Sequence, residues 1–201
     1  MDQAKVAVEK AALRTRFRLR RTSVPARAAV DAAIVARVLA LPEVAAAQAA
    51  GRVVLAFWPL AARGEVDVRP LVAALAAGGV ALPAVIPGAA PRLAVRRFTS
   101  AARLVAGPWG LMEPAADAPA VAPADLAVVV VPALALGRDG SRLGAGGGYY
   151  DAFLPTTAAL RVGVAPAACV VDALPHEPHD ARLDVVVTEH ETVRVPPGGR
   201  P

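Results

Sequence analysis

The chain has 201 residues, of which 56% are hydrophobic and only 4% aromatic, and it carries a net charge of +5. This length suits a single domain with a substantial core, and the one cysteine, Cys169, excludes an internal disulfide, as is usual in a reducing compartment. The longest apolar run, residues 126–136, is too short to span a bilayer. We therefore predict a cytoplasmic protein with one domain over residues 1–195 and a disordered tail over 196–201, with no membrane partner.

The positive charge is concentrated at the start of the chain. Residues 1–21 hold seven basic and two acidic residues, so they account for the whole excess. The remainder is neutral and gives no reason to expect a nucleic-acid partner. A nucleic-acid-binding protein led by this basic segment is an alternative, but basic and aromatic residues do not interleave elsewhere.

The first predicted element is a basic helix over residues 3–21 with Val6, Leu13 and Phe17 facing inward. Lys10 and Arg14 project from one face because they are four residues apart. The chain has two lysines against 20 arginines, so Lys10 suggests a role that a guanidinium does not fill. A solvated helix face and a transit peptide are the alternative interpretations.

Strands and helices alternate along the rest of the chain. A second helix begins near Ser23 and Pro25 and ends before Pro42. A third begins at Pro70 and ends at the two glycines of residues 78–79. Apolar runs predict strands over residues 53–58, 80–86, 93–98, 126–136, 161–165 and 183–188. This alternation predicts an α/β fold.

A glycine-rich loop, residues 140–151, joins the predicted strand at 126–136 to a short helix from Tyr149 that Pro155 stops. Backbone N–H groups converge on anions at such strand-to-helix passages, and Arg142 adds a charge suited to phosphate. The loop lacks the third glycine of a dinucleotide fingerprint, because Tyr149 stands there, and it lacks the lysine of a P-loop. A plain surface turn is the alternative.

Acidic and aromatic side chains follow several predicted strands. Asp151 and Asp180 are expected at one edge of a parallel sheet, where two carboxylates beside a phosphate would bind Mg²⁺. Glu65 and Asp67 would reach that edge or remain in solvent. Trp58 and Trp109 would stack on a flat heterocycle or pack in the core.

Zinc binding by His176 and His179 is disfavoured. Pro178 removes helical spacing between them, and no cysteine or further histidine is clustered there to complete a tetrahedral site.

These motifs resemble those of the 5-formyltetrahydrofolate cyclo-ligase family, also called methenyltetrahydrofolate synthetases. The glycine loop ending in Tyr-Tyr-Asp is highly specific. The other motifs are weak alone but strong in this order. The resemblance extends over residues 10–189 and is carried by residues 10–14, 65–71, 109–114, 140–151, 178–180, 183–184 and 188–189.

The resemblance implies a three-layer α/β/α sandwich with a mostly parallel central sheet and an ATP- and Mg²⁺-dependent enzyme. We expect the protein to be a monomer. In this family the formyl oxygen of 5-formyltetrahydrofolate attacks the γ-phosphate of ATP. N10 then closes the ring of the imidate phosphate, and phosphate leaves to give 5,10-methenyltetrahydrofolate.

The resemblance also implies roles for individual residues. Arg142 and Glu65 would be catalytic, and Asp151 and Asp180 would bind Mg²⁺. ATP would contact Lys10, Arg14, Arg142, Leu143, Gly144, Ala145, Gly146, Gly147, Gly148, Tyr149 and Tyr150. The folate would contact Trp58, Glu65, Trp109, Gly146, Gly147, Gly148 and Tyr149.

Four positions depart from the family pattern. The family has Phe-Asp where Leu136 and Gly137 stand, often Phe at Pro166, and often Gln at Cys169. The resemblance places these positions on the folate side. A divergent paralogue that binds ATP but acts on another substrate, or acts as a regulator, is therefore the alternative.

Overall fold

A computed structural model describes residues 3–196. The tail predicted over 196–201 lies outside the described residues except for Pro196. The helices are α1 (Gln3–Thr22), α2 (Arg27–Leu39), α3 (Pro42–Ala49), α4 (Arg69–Leu75) and α5 (Tyr149–Phe153). The strands are β1 (Val53–Leu55), β2 (Val80–Ile86), β3 (Arg92–Arg97), β4 (Leu104–Ala106), β5 (Met112–Pro114), β6 (Leu126–Pro132), β7 (Ala135–Gly137), β8 (Arg142–Leu143), β9 (Leu160–Val164), β10 (Val170–Val171), β11 (Val185–Val187) and β12 (Thr192–Arg194).

A seven-stranded sheet in the order β12-β11-β9-β6-β1-β2-β3 forms the centre of the protein. The five inner strands are parallel, and β12 and β3 pair antiparallel at the two edges. The mostly parallel sheet is thus confirmed. Two small sheets accompany it, β10-β7-β8 and the β4-β5 hairpin.

Helices cover both faces of the sheet because alternate strand residues point to opposite sides. Val129 and Val131 of β6 share a buried cluster with Phe17 of α1. Val128 and Val130 belong to a second cluster with apolar residues of α2, α3 and α4. The three-layer sandwich is therefore confirmed, and the basic first helix is part of the core.

Three sequence predictions are corrected. Pro42 does not only end the second helix but starts α3, where proline is tolerated in the first turn. The predicted strand at 126–136 is two strands in different sheets, β6 and β7, because the chain leaves the large sheet after Pro132. Pro155 lies inside a 3₁₀ turn, Leu154–Thr156, that extends α5.

The strand predicted at 53–58 ends at Leu55, opposite Ala81 of β2. The remainder of β2 runs beyond it, so the edge of β2 that faced β1 becomes open. Among residues 3–196, no helix has the length and apolar character needed to cross a membrane.

Candidate active site

A cavity of about 560 Å³ is lined by the segments that follow β1 and β6 and by the glycine loop. Every residue to which the sequence assigned a binding or catalytic role lines this cavity: Lys10, Arg14, Trp58, Glu65, Trp109, Arg142, Leu143, Gly144, Ala145, Gly146, Gly147, Gly148, Tyr149, Tyr150, Asp151 and Asp180. The tertiary structure thus brings together residues from five separate parts of the chain.

Lys10 forms the centre of a charged cluster. It is only 4% exposed, and its Nζ donates to Glu177 Oε2 at 2.7 Å and also to Asp180 Oδ2. Burial raises the pKa of Asp180, but the bond from Lys10 and that from the Glu177 N–H outweigh it, so the pKa lies below its usual value. Asp180 is therefore ionised at neutral pH. A solvated position for Lys10 is wrong.

Buried Arg142 and half-buried Asp151 form a second ion pair. Arg142 Nη2 donates to Asp151 Oδ1 at 2.7 Å, and the N–H of Ala181 donates to the same oxygen at 3.2 Å. A Cβ on Gly144 would lie 2.8 Å from Arg142 Nη1, so glycine makes room for the guanidinium. Arg142 Nε is buried and has no hydrogen-bond partner within residues 3–196. We call these two pairs, with Glu177, the charged end of the cavity.

The glycine loop lies on α1. Arg14 Nε donates to the carbonyl oxygen of Gly144 at 3.2 Å. Gly146 has φ +109°, and a Cβ there would lie 3.5 Å from Arg14 Nε. At the far end of the loop, the ring of Tyr149 meets Trp109 edge-on, with 5.7 Å between centroids. The positive φ explains why glycine is favoured at Gly146, since the distance to Arg14 is an ordinary van der Waals contact.

Glu65 is held by its own loop, in which the N–H of Leu60 donates to Glu65 Oε2 at 2.9 Å. Buried Arg21 supports that loop by donating to the carbonyl oxygens of Arg63 at 2.6 Å and Ala133 at 3.0 Å. Burial lowers the pKa of Arg21, and nearby Glu65 opposes that effect. Asp67, in contrast, pairs with Arg69 and does not line the cavity.

Another part of the cavity lining is apolar, and we call it the apolar end. It is formed by residues next to β1, β2 and the β4-β5 hairpin: Trp58, Pro83, Val85, Leu111, Met112 and Glu113. Trp58 stacks on Phe98 with centroids 5.8 Å apart, so its ring is fixed. Glu113 is the one charged residue among these six, and the sequence analysis gave it no binding or catalytic role.

Two further observations concern metal ligands. The ligand atoms of Glu177, His179 and Asp180 all lie within 4.8 Å of one another, whereas Asp151 is not in this group. Sequence analysis missed Glu177, which stands next to the recognised Pro-His-Asp motif. His176 does not belong to this group and contacts Arg182 at 3.3 Å.

The four departures from the family pattern lie outside the cavity lining. Leu136 and Cys169 are fully buried in the core beneath α1. A Cβ on Gly137 would lie 2.2 Å from Ser141 Oγ and 2.3 Å from Asp139 Oδ1. The expectation that these positions contact the folate therefore has no support in the geometry. Pro166, the fourth departure, is buried as well.

Fold and site together define a class: a three-layer α/β protein whose cavity joins a charged, glycine-lined end to an apolar end. The profile of the 5-formyltetrahydrofolate cyclo-ligase family matches residues 6–189. The chain belongs to this family.

Individual relatives agree with the family match. A 5-formyltetrahydrofolate cyclo-ligase of Mycolicibacterium smegmatis is 41% identical over 88 residues, which are 42% of this chain and 45% of the relative, so the match spans under half of that relative's length. One of Escherichia coli K12 is 35% identical over 131 residues, 62% of this chain and 72% of the relative.

Two solved structures are also similar. The 5,10-methenyltetrahydrofolate synthetase of Aquifex aeolicus superposes with a TM-score of 0.78 at 31% identity, covering 95% of both chains. That of Mycoplasma pneumoniae has a TM-score of 0.68 at 19% identity, covering 90% of this chain and 99% of the other, which bears on the fold alone.

Proposed function

We propose that this protein converts 5-formyltetrahydrofolate to 5,10-methenyltetrahydrofolate, using ATP with Mg²⁺ and releasing ADP and phosphate. Its family membership supports the choice of reaction. The observation that carries the proposal is the juxtaposition, in one cavity, of paired cations and carboxylates beside a glycine loop and an apolar wall with a stacked tryptophan.

The charged end suits the phosphates of ATP. Lys10, Arg14 and Arg142 supply three cations, and the unpartnered Nε of Arg142 is a donor without a present use. Phosphoryl transfer needs positioning and charge neutralisation more than covalent help from the protein. Because Lys10 and Arg142 are paired with carboxylates here, the phosphates would compete with Asp180 and Asp151 for them.

The donors near Lys10 fit Mg²⁺. Glu177 and Asp180 offer carboxylate oxygens, which hard divalent cations prefer, and Asp180 is held in its ionised form. Asp151 lies beside the same segment through its bond to Ala181. When bound, Mg²⁺ would neutralise charge on the transferred phosphoryl group. These three carboxylates are the residues that would hold it.

The chemistry places the two substrates end to end. The formyl oxygen forms a bond to the γ-phosphorus as the bond from that phosphorus to the bridging oxygen breaks, and ADP leaves. N10 then attacks the formyl carbon and loses its proton, and the C–O bond to phosphate breaks. Arg142 would neutralise the transferred phosphoryl oxygens. Glu65, fixed by Leu60, would orient the folate near its formyl group.

The proposal is tested by mixing the protein with 5-formyltetrahydrofolate, ATP and Mg²⁺ and following the methenyl absorbance and released phosphate. We expect one phosphate for each methenyl product and no reaction without ATP. ATP binding with no product from this folate would contradict the proposal and favour the divergent paralogue. An Arg142→Lys variant that binds the folate but forms no product would support the role of the guanidinium in neutralising the transferred phosphoryl oxygens.

A further inference from the structure

Glu113 is a buried carboxylate at the apolar end that the reaction, as described above, does not use. It lies in the middle of β5, is 8% exposed and lines the cavity. The only hydrogen bond to its carboxylate within residues 3–196 comes from the N–H of Val85, which donates to Oε1 at 3.1 Å. No cation in that range pairs with it, and burial raises its pKa. A carboxylate in such a place is costly unless a ligand completes its hydrogen bonds.

The protein builds a place for this carboxylate. In β2, the backbone N–H and C=O groups of odd-numbered residues point toward β1, and those of even-numbered residues point toward β3. The N–H of Ala56 donates to the carbonyl oxygen of Ala81, and the N–H of Phe98 donates to that of Val80. β1 ends at Leu55, so the N–H of Val85 points into the gap that β1 leaves. Pro83, the other odd residue there, has no N–H. Val85 is thus the one backbone donor on this stretch of edge.

The β4-β5 hairpin makes room on the other side. A Cβ on Gly107 would lie 2.6 Å from Glu113 Oε1 and 2.7 Å from Oε2. A larger residue at this position would displace the carboxylate. With one lone pair of Oε1 used by Val85, Oε2 and the second lone pair of Oε1 remain for a ligand.

We propose that Glu113 recognises the 2-amino-4-oxopyrimidine ring of the pterin and so fixes which end of the folate enters the apolar end. That ring presents two adjacent N–H donors, from the 2-amino group and N3, which match two carboxylate oxygens. Adenine presents one amino group beside a ring nitrogen that is an acceptor, so a carboxylate does not pair with both. Glu113 therefore selects for the folate and against the base of ATP. The identity of this ligand rests on the proposed function.

The test compares binding of 5-formyltetrahydrofolate with an analogue in which a methyl group replaces the 2-amino group. Trp58 and Trp109 are the two tryptophans of the chain, and both line the cavity, so quenching of their fluorescence reports binding without turnover. The variants are Glu113→Gln, which keeps size and the acceptor for Val85, and Asp117→Asn as a control. Asp117 is an exposed carboxylate after the same hairpin that pairs with Arg103 and does not line the cavity.

We expect wild type and Asp117→Asn to bind the parent folate roughly 10- to 100-fold more tightly than the analogue, as for hydrogen bonds to a charged group. In Glu113→Gln this preference should largely disappear, while ATP affinity stays within about twofold of wild type. Thermal unfolding and circular dichroism check that the variants fold. A Glu113→Gln protein that still discriminates as wild type does, or that loses ATP affinity instead, overturns the assignment.

The same measurements separate failure of this assignment from failure of the proposed function. If wild type prefers the folate with the 2-amino group and Glu113→Gln loses this preference, the pterin site is supported even when no methenyl product forms. In that case only the proposed reaction is wrong. Product formation with unchanged discrimination in Glu113→Gln leaves the reaction standing and removes Glu113 from recognition.

Discussion

The two ends of the cavity solve the problem of buried charge in opposite ways. At the charged end, cations and anions are paired with one another: Lys10 with Glu177 and Asp180, and Arg142 with Asp151. At the apolar end, Glu113 has one backbone donor and no cation among residues 3–196. Among the described residues, the charges of the charged end are paired without a ligand, although Arg142 Nε keeps a free N–H, whereas the carboxylate of the apolar end has no ionic partner and has unused acceptor capacity.

This difference affects how much binding free energy a ligand gains at each end of the cavity. A phosphate at the charged end must replace interactions that the protein already makes, so its net gain depends on a metal ion or on released carboxylates. A ligand at the apolar end meets a fixed aromatic surface and an acceptor with free lone pairs, so each hydrogen bond it forms is a net addition. Mutations at the two ends should therefore differ in what they change.

The largest effect is expected for Lys10→Met at the charged end. Losing the cation removes a phosphate contact and leaves Glu177 and Asp180 repelling the ligand, so ATP affinity should fall roughly 10- to 100-fold. Stability should also fall by about 1–3 kcal/mol, because two partly buried carboxylates lose their partner. Calorimetric titration with ATP and thermal unfolding measure both.

The matched control is Lys5→Met, which changes the other, exposed lysine of the same helix. It should leave ATP affinity and stability as in wild type. Equal affinities in folded Lys10→Met and Lys5→Met would remove Lys10 from phosphate binding.

A smaller effect is expected for the carboxylates. Asp180→Asn should raise the Mg²⁺ concentration for half-maximal activity by roughly tenfold, since a hard cation loses one anionic ligand. Asp151→Asn should raise it less, because Asp151 is engaged by Arg142 and is not in the group with Glu177 and His179. Activity is titrated with Mg²⁺ at fixed ATP. An unmoved midpoint in both variants would show that neither is a ligand.

The core beneath the site should respond in stability rather than in binding. Introducing the family pattern with Leu136→Phe and Gly137→Asp should cost about 1–3 kcal/mol, because the new side chains crowd Ser141, Asp139 and a filled core. The Michaelis constants for folate and ATP should change together or not at all. A change in the Michaelis constant for folate alone would indicate that these positions do contact the substrate.

The smallest effect concerns pH and the apolar end. Burial raises the folded-state pKa of Glu113 above its ordinary value of 4.5. The folded protein then binds this proton more tightly than the unfolded chain, so the group costs stability as pH rises above 4.5 through the folded pKa. Glu113→Gln lacks this titration. Its free energy of unfolding relative to wild type should therefore be higher at pH 7 than at pH 4, as measured by denaturant unfolding. A difference that shrinks toward neutral pH would contradict the sign.

Sequence by itself determined the parts of this protein that depend on local spacing. The alternation of apolar runs and breakers predicts the α/β fold, and three of the six predicted strands, those at 80–86, 93–98 and 161–165, stand within a residue of their observed bounds. The four-residue spacing of Lys10 and Arg14 places them on one helix face, and the glycines around Arg142 place it in a loop. Both placements follow from residues that are close in sequence.

Only the tertiary structure decided which distant groups meet. Lys10 and Glu177 are 167 positions apart, and nothing in either segment specifies that pairing. Glu113 accepts the N–H of Val85 because β1 stops at Leu55 and leaves that N–H free, which depends on how long two neighbouring strands remain paired. The four departures were placed at the substrate by motif resemblance, whereas packing buries them. The spacing of apolar residues along the sequence predicts which side of a helix or strand is buried. The depth of burial and the partner across a cavity depend on the closed arrangement of the whole chain.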